Sequence, residues 1–344
     1  MRGIISAHRS EDGAVSVLVA LLMVVFLGFA ALAVDVGMLY SEKAQLQNGA
    51  DAAALGIAQT CAKTPASIHC SSSSAVATEL ANLNSLDGLG TVESVALSAN
   101  TVTVTTSAKE AGRSDNRVSL FFAQALGISS AEVGAHSGAE WGSPLAGTAP
   151  FPLAFSICQV QGQIGGSMQL LQSHGNDANL DCNYGPSGAV VPGGFGWLNR
   201  SPGQCGAFVS VAELSGSDTG NDAPNICGPT MTSWMNQLQE GQQVTLLLPV
   251  FNNVEGTGTS AQYSIVSFAA YDLLGWRLSG GNSTPDVFRS TATENGSTFS
   301  CNGNCRGIIG RFVKYVSLAD GYTLGPVDSS GLTIVRLTLG DPSP

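Results

Sequence analysis

The chain has 344 residues, of which 44% are hydrophobic, so it is long enough and apolar enough to form two domains with cores of their own. Charged residues make up only 11%, and the 42 glycines accompany many serines, threonines and asparagines, a composition typical of extracellular β structure. The formal net charge of -11 repels phosphate backbones, which excludes nucleic acid as a partner.

The first element in the chain is an uncharged apolar run from Ala14 to Val34. As a helix rising about 1.5 Å per residue, this run would span the roughly 30 Å hydrocarbon core of a bilayer. Arg2 and Arg9 precede it, and the first basic residue after it is Lys43. This bias in basic residues predicts a single-pass membrane protein with a cytoplasmic N-terminus and most of its mass outside the cytoplasm.

A cleaved signal peptide is the alternative to a retained anchor, because Ala31-Leu32-Ala33 has the small-x-small pattern of a cleavage site. The apolar run is longer than the usual core of a signal peptide, and no helix breaker precedes the supposed cut. The sequence therefore favours a retained helix.

Helical periodicity continues beyond the apolar run to about Thr60, with no proline between Met1 and Thr64. Apolar residues recur on one face at Leu39, Leu46, Ala50, Ala53 and Ile57. Small residues that would allow another element to approach closely are Ala44, Gly49, Ala53, Ala54 and Gly56. We interpret this face as intramolecular core rather than as a face for helix–helix assembly.

Two of the carboxylates in this helix are especially informative. Asp35 follows the apolar run directly, where its charge can be hydrated and could mark the membrane register or pair with a base of a neighbouring subunit. Asp51 lies in an alanine-rich stretch, where ordinary solvent exposure and a special role remain open. Within one turn its possible partners are Gln47 and Asn48.

Beyond the helix, the sequence predicts a small α+β region. The predicted elements are a helix over residues 71–86, strands over 92–97 and 101–107, a short helix over 116–126 stopped by Gly127, and a strand over 131–141. Three prolines from Pro144 to Pro152 then indicate a linker or domain edge.

Strand patterns dominate the remainder of the chain, separated by turn clusters rich in glycine and serine. The predicted strands are residues 153–160, 207–211, 243–251, 263–273, 307–316 and 331–339, and the one predicted helix is 230–238. This pattern indicates an antiparallel sandwich or barrel.

All of the cysteines lie beyond the apolar run, at Cys61, Cys70, Cys158, Cys182, Cys205, Cys227, Cys301 and Cys305. An even number placed this way favours disulfides in an oxidising compartment over reduced buried thiols or zinc, whose spacing is absent. The first two and the last two are near enough in sequence to pair with each other. The middle four allow three connectivities.

The sequence lacks a set of residues for catalysis. No nucleophile elbow, HExxH helix or P-loop occurs, so we expect no enzyme activity, no cofactor, no metal and no small-molecule substrate. Isolated candidates are interpreted as structural or surface residues. His136 and His174 lack partners, and Trp197, Trp234 and Trp276 are interpreted as core. The pairs Asp177 with Asp181 and Asp218 with Asp222 could offer oxygen ligands to calcium, but they lack the spacing of a calcium loop and are interpreted as solvated loop residues. The loop around Trp197 could instead expose an aromatic to a partner.

Three segments of the helix together form a specific motif. They are Gly13-Ala-Val-Ser-Val17, then Leu32-Ala-Val-Asp-Val-Gly37 with Tyr40, and finally Leu46-Gln-Asn-Gly-Ala-Asp-Ala-Ala-Ala-Leu55. This combination resembles the N-terminal module of TadE/TadG-like Flp (Tad) pilus-assembly proteins. A looser similarity to the larger TadG-like members continues at Phe121–Gly127, Gly193–Leu198 and Leu248–Phe251.

The resemblance implies a non-enzymatic component of a bacterial Tad pilus or secretion machine, with the membrane, other Tad components and pilins or pseudopilins as partners. It marks Gly13, Asp35, Gly37, Tyr40, Leu46, Gln47, Asp51 and Leu55 as residues of the membrane and assembly helix. Prepilins of this type carry glutamate at the fifth position after the cleaved glycine. Here that position is Leu18, so we expect an uncleaved helix. The alternative function is a membrane-tethered adhesion or binding module that shares only the anchor.

The predicted fold class is α+β, with a long N-terminal transmembrane and amphipathic helix packed on a small sheet in a pilin-like manner, followed by a β-rich, disulfide-stabilised domain. The predicted organisation is a cytoplasmic tail at 1–13, a transmembrane helix at 14–34, a pilin-like region at 35–142 and an extracytoplasmic β-rich domain at 150–344.

Overall fold

The structure is a computed structural model that describes residues 12–113, 115–160, 166–174, 195–211, 213–218, 222–256, 260–313, 315–316, 321–328 and 332–338. The chain divides into two compact units. The first contains the described residues as far as Ala139 together with Leu337 and Thr338, and the second contains Glu140–Arg336.

Helix α1, Asp12–Lys63, dominates the first unit. Its 52 residues make it about 78 Å long at about 1.5 Å per residue. The large apolar side chains between Val15 and Val34 are all more than half exposed. From Asp35 onward one face is buried, as the spacing of the apolar residues predicted.

The rest of the first unit covers that buried face. Its elements are helix α2 (Ala75–Leu83), β1 (Thr91–Leu97), β2 (Thr101–Ser107), β3 (Arg117–Ser119), β4 (Ser130–Glu132) and the start of β5 (Gly134–Ala149). β1 pairs antiparallel with β2, and β3 with β4. Strand β2 lies between β1 and β5. Leu46 of α1 packs with Ala108, Val118, Val133 and Ala135, so the predicted helix-on-sheet arrangement is confirmed.

Two sequence predictions in this part of the chain are wrong. Residues 116–126 do not form one helix, because Arg117–Ser119 pairs as a strand with Ser130–Glu132 and only Ala123–Leu126 forms a 3-10 turn. Gly127 stops that turn with φ +84, as predicted. The proline-rich linker is in fact strand, since β5 continues through Pro144, which faces Leu324 at a register irregularity where a missing N–H is tolerated.

The second unit is β-rich, as predicted. Its first elements are β6 (Leu153–Ser156), the short helix α3 (Ile157–Val160), β7 (Gln169–His174), β8 (Phe195–Trp197), β9 (Ala207–Ser210), β10 (Leu214–Gly216) and helix α4 (Gly228–Gln239). The remaining strands are β11 (Val244–Glu255), β12 (Gln262–Arg277), β13 (Val287–Phe288), β14 (Thr291–Glu294), β15 (Ser297–Ser300), β16 (Arg306–Val313), β17 (Tyr315–Val316), β18 (Tyr322–Gly325) and β19 (Thr333–Thr338).

A central sheet in the order β7-β16-β12-β11-β6-β8 organises this unit. Its neighbours pair antiparallel, except that β6 runs parallel to β11. A second sheet groups β9 and β18, both antiparallel to β5, with β19 beside β5 and β17 parallel to β19.

Both faces of the central sheet are buried. Along β12, Tyr271 and Leu273 enter one core while Phe268 and Ala270 enter the other, which is the two-residue alternation of a strand. Helix α4 closes the first core with Trp234, and the second sheet closes the other core. The unit is therefore a sandwich of two sheets with helix α4 packed on the outer face of the central sheet.

Disulfides join Cys61 to Cys70, Cys205 to Cys227 and Cys301 to Cys305. The two sequence-local pairs are those that the spacing favoured. Cys158 is also disulfide-bonded, and Cys182 lies outside the described residues.

Candidate functional site at the N-terminal helix

The carboxylate of Asp35 is buried and accepts hydrogen bonds from three consecutive backbone amides. The N–H of Phe121 donates at 2.9 Å, that of Phe122 at 3.2 and 3.0 Å to the two oxygens, and that of Ala123 at 2.6 Å. The residue is only 3% exposed, so the expectation of a hydrated carboxylate is wrong. Its charge is balanced by the oriented amides at the start of the 3-10 turn.

This contact joins two segments that lie 86 residues apart. Asp35 is fixed by helix α1, and Gly127 ends the turn whose first amides reach the carboxylate. One segment is Val34–Gly37 of the helix motif, and the other is Phe121–Gly127, where the looser similarity to the family lies. The geometry thus explains why a carboxylate is needed at the end of the apolar run.

The second half of the helix motif is tied to strand β5. Gln47 Nε2 donates to Asp51 Oδ1 at 2.9 Å and to the carbonyl of His136 at 3.1 Å. Asp51 is partly buried, and its hydrogen-bond partner is Gln47 of the same helix. Here Asp51 orients the glutamine that holds the strand, since residues four apart are neighbours on a helix.

A buried threonine that the sequence analysis did not identify completes this connection. Thr106 of β2 is 0% exposed, and its hydroxyl donates at 3.0 Å to the carbonyl of Leu46, with the carbonyl of Ala135 at 3.3 Å. The alternation in residues 101–107 predicted the strand but could not reveal a polar contact across to a helix backbone.

Small residues of the motif allow helix α2 to approach α1 closely. A Cβ added at Gly49 would lie 3.2 Å from Cα of Ala81, and one added at Gly56 would overlap the side chain of Leu80. Ala53 and Ala54 are fully buried. The interpretation of this face as intramolecular core is confirmed, whereas Ala44 lies on the exposed side.

Glu42 lies on the same buried side of α1, one turn before Leu46. Burial raises its pKa, and the nearby carboxylates of Asp87 and Glu110 raise it further. The folded unit therefore carries an electrostatic cost at neutral pH.

The other marked residues of the helix lie elsewhere. Gly13 is in the first turn of α1, and Leu55 is partly buried. A Cβ added at Gly37 would point into open space, and Tyr40 is 77% exposed. Gly37 and Tyr40 therefore present an open helix face, unlike Asp35, Leu46 and Gln47.

Among the described residues, the remaining candidates do not form a metal site. Asp218 pairs with Arg200 at 3.0 Å and Asp222 with Arg306 at 2.9 Å, so each of these two carboxylates has an arginine as its partner. Asp177 and Asp181 lie outside the described residues, as does the side chain of His174. Within the described ranges, no cluster of three or more His, Cys, Asp or Glu could hold a metal ion.

The tryptophans are core residues. Trp197 is 4% exposed, so it does not project from its loop, and Trp234 packs edge-on against Trp276 with ring centroids 6.2 Å apart. The aromatics of the second unit thus supply packing.

Comparison with known proteins bears on the N-terminal helix. Residues 13–59 match the family model described as putative Flp pilus-assembly TadE/G-like. No curated protein matches the chain, and no solved structure does. The matched range contains the apolar run, Asp35 and the whole segment from Leu46 to Leu55. The chain therefore carries, over residues 13–59, the TadE/G-like Flp pilus-assembly domain that its motifs predicted.

Proposed function

We propose that this protein is a non-enzymatic, membrane-anchored structural component of a Tad (Flp) pilus or a related secretion machine. The observation that carries the proposal is the matched domain itself, a single helix whose first part is apolar and exposed and whose second part is locked into the first unit. The domain supports involvement in Tad pilus assembly, and the role within the machine is our inference.

A lipid bilayer explains the exposed part of α1. Of the described helices, α1 alone is long and apolar enough to cross a membrane, with a mean hydropathy of 3.0 in its most apolar window and none of that window buried. Moving its large apolar side chains out of water is worth on the order of tens of kcal/mol, at about 1.5–3 kcal/mol per side chain. The basic residues Arg2 and Arg9 favour a cytoplasmic N-terminus.

The contacts of the motif support a structural role. Asp35, Leu46 and Gln47 each bind a different part of the first unit, so the outer half of the helix forms one packed body with it. Such a body transmits any displacement of the helix to the domain that it carries. This coupling suits a component that is assembled or pulled through its membrane helix.

An open face of α1 remains for contacts with other Tad components. Gly37, Tyr40 and Ala44 follow one another at spacings of three and four, and all are exposed. Small residues beside an aromatic allow another helix to pack closely. We propose that pilins, pseudopilins or other membrane helices of the machine bind here.

A deletion strain complemented with variants tests this function. We expect loss of surface pili after deletion and weakened assembly with Tyr40→Ala, while Gln59→Ala, an exposed change farther along α1, preserves assembly. Unchanged piliation and adherence after deletion would refute the proposal. Binding of cells or glycans without any pilus phenotype would favour the tethered adhesion module instead.

Fractionation and mass measurement refine the role. Co-purification with sheared pili would identify a minor pilus subunit, and retention in the membrane would identify an assembly factor. The intact mass of membrane-extracted protein is expected to include the whole apolar helix, because Leu18 replaces the glutamate of a prepilin site. A mature chain beginning at Val34 would refute the retained anchor.

A further inference from the structure

The turn bound to Asp35 exposes a group of large apolar side chains. Phe121 is 79% exposed, Phe122 42%, Leu126 78% and Ile128 53%. We call these four residues the loop patch. The two phenylalanine rings contact each other edge to face, with centroids 5.3 Å apart. Exposed aromatics clustered in one short loop indicate an interaction surface.

Asp35 fixes the position of the loop patch along α1. The uncharged segment 13–34 is about 33 Å long at about 1.5 Å per residue, close to the roughly 30 Å thickness of a hydrocarbon core. Asp35 is the first charged residue beyond it and holds the amides of Phe121 and Phe122 directly. The loop patch therefore lies at the level where α1 leaves the apolar phase.

The local geometry places the loop no farther out than this level. Side chains on a helix point back toward its N-terminus, so the carboxylate of Asp35 is directed toward the apolar segment. Ala31, one turn earlier on the same side, is partly buried, whereas Leu32 and Val34 are 51% and 56% exposed. Exposed apolar side chains of α1 thus lie immediately before the position at which the loop is held.

We propose that the loop patch inserts into the outer boundary of the lipid bilayer beside α1 and gives the first unit a second membrane contact. Phenylalanine and leucine favour this boundary, where their apolar bodies leave water while the backbone can stay hydrated. Because Asp35 holds the loop rigidly, a second contact would fix the rotation of α1 and the orientation of the first unit above the membrane.

Site-directed spin labelling of the full chain in phosphatidylcholine proteoliposomes tests this inference. The described cysteines are all disulfide-bonded, so an introduced cysteine is a selective labelling site. Labels are placed by Phe121→Cys, Leu126→Cys, Val24→Cys within the apolar segment, and Ile68→Cys. Ile68 is the matched control, because it is 82% exposed but lies beyond the far end of α1.

Collision rates with oxygen and with a polar nickel chelate distinguish lipid from water. We expect the oxygen-to-nickel ratio at positions 121 and 126 to be several-fold higher than at position 68 and to approach that at position 24. A ratio equal to that at position 68 would overturn the proposal. Shielding from both reagents would also overturn it, because a protein would then cover the patch.

The inference rests on the proposed anchoring of α1, and the label at position 24 separates the two. Lipid contact at position 24 with water contact at positions 121 and 126 would overturn the loop patch alone. Water contact at position 24 would overturn the anchoring as well. Two labelled positions in the loop guard against one substitution disturbing the fold.

Discussion

Replacing Asp35 with alanine removes the acceptor for three backbone amides at once. Those of Phe121, Phe122 and Ala123 all donate to its carboxylate, at distances between 2.6 and 3.2 Å. Hydrogen bonds to a charged group contribute about 1.5–3 kcal/mol each. Phe121 and Phe122 are both exposed, so water restores most of what their amides lose, and the full loss falls on Ala123, which is buried. With a small remainder from the two exposed amides added to this one full loss, we expect the turn to be destabilised by roughly 2–4 kcal/mol.

Native-state hydrogen exchange in nanodiscs measures this loss where it occurs. At about 1.4 kcal/mol per factor of ten, exchange of the amides from Phe121 to Ala123 is expected to accelerate by about 30-fold to about 1000-fold. Asp35→Asn keeps one carbonyl oxygen and should give a smaller acceleration. Glu79→Ala serves as the control, because it removes an equal charge from an exposed position on α2.

Two outcomes would contradict the reasoning. Unchanged exchange at these amides in Asp35→Ala would show that the carboxylate does not hold the turn. Equal acceleration in Glu79→Ala would show a general effect of charge. Acceleration confined to the turn, with α2 unaffected, is the result that the geometry requires.

Three further changes test the packing of α1. Gly49→Leu should destabilise the first unit by about 1–3 kcal/mol, because Ala81 leaves no room for the added side chain. Gly37→Leu is the control and should not destabilise it, because the space around Gly37 is open. Hydrogen exchange of α2 measures the difference between the two variants. Glu42→Gln should raise the unfolding free energy at pH 7 by less than about 1 kcal/mol, because the folded state raises the pKa of Glu42 and so disfavours its ionised form. Below about pH 4 Glu42 is protonated in both the folded and the unfolded state, so this gain should vanish there. A gain that persisted at low pH would exclude the electrostatic cause. Thr106→Val should cost about 1 kcal/mol through its buried hydroxyl, measured as faster exchange in β2, and an unchanged rate would contradict it.

Local sequence signals predicted most of the secondary structure. The unbroken helix, the strands 92–97 and 101–107 and the helix near 230–238 were readable because periodicity and turn residues agree there. The errors occurred where a distant partner decides. Residues 117–119 became a strand through pairing with 130–132, and Pro144 was accommodated in β5 by an irregular register.

The candidate site shows the same division. The sequence by itself determined the apolar helix, its length and the motif containing Asp35, Gln47 and Asp51, because these depend on residues close together in the chain. Only the tertiary structure decided that Asp35 is buried beneath the amides of Phe121 and Ala123, 86 and 88 residues away. A carboxylate next to a membrane segment has the same local sequence whether water or a folded loop satisfies it, so only the folded chain can reveal the partner.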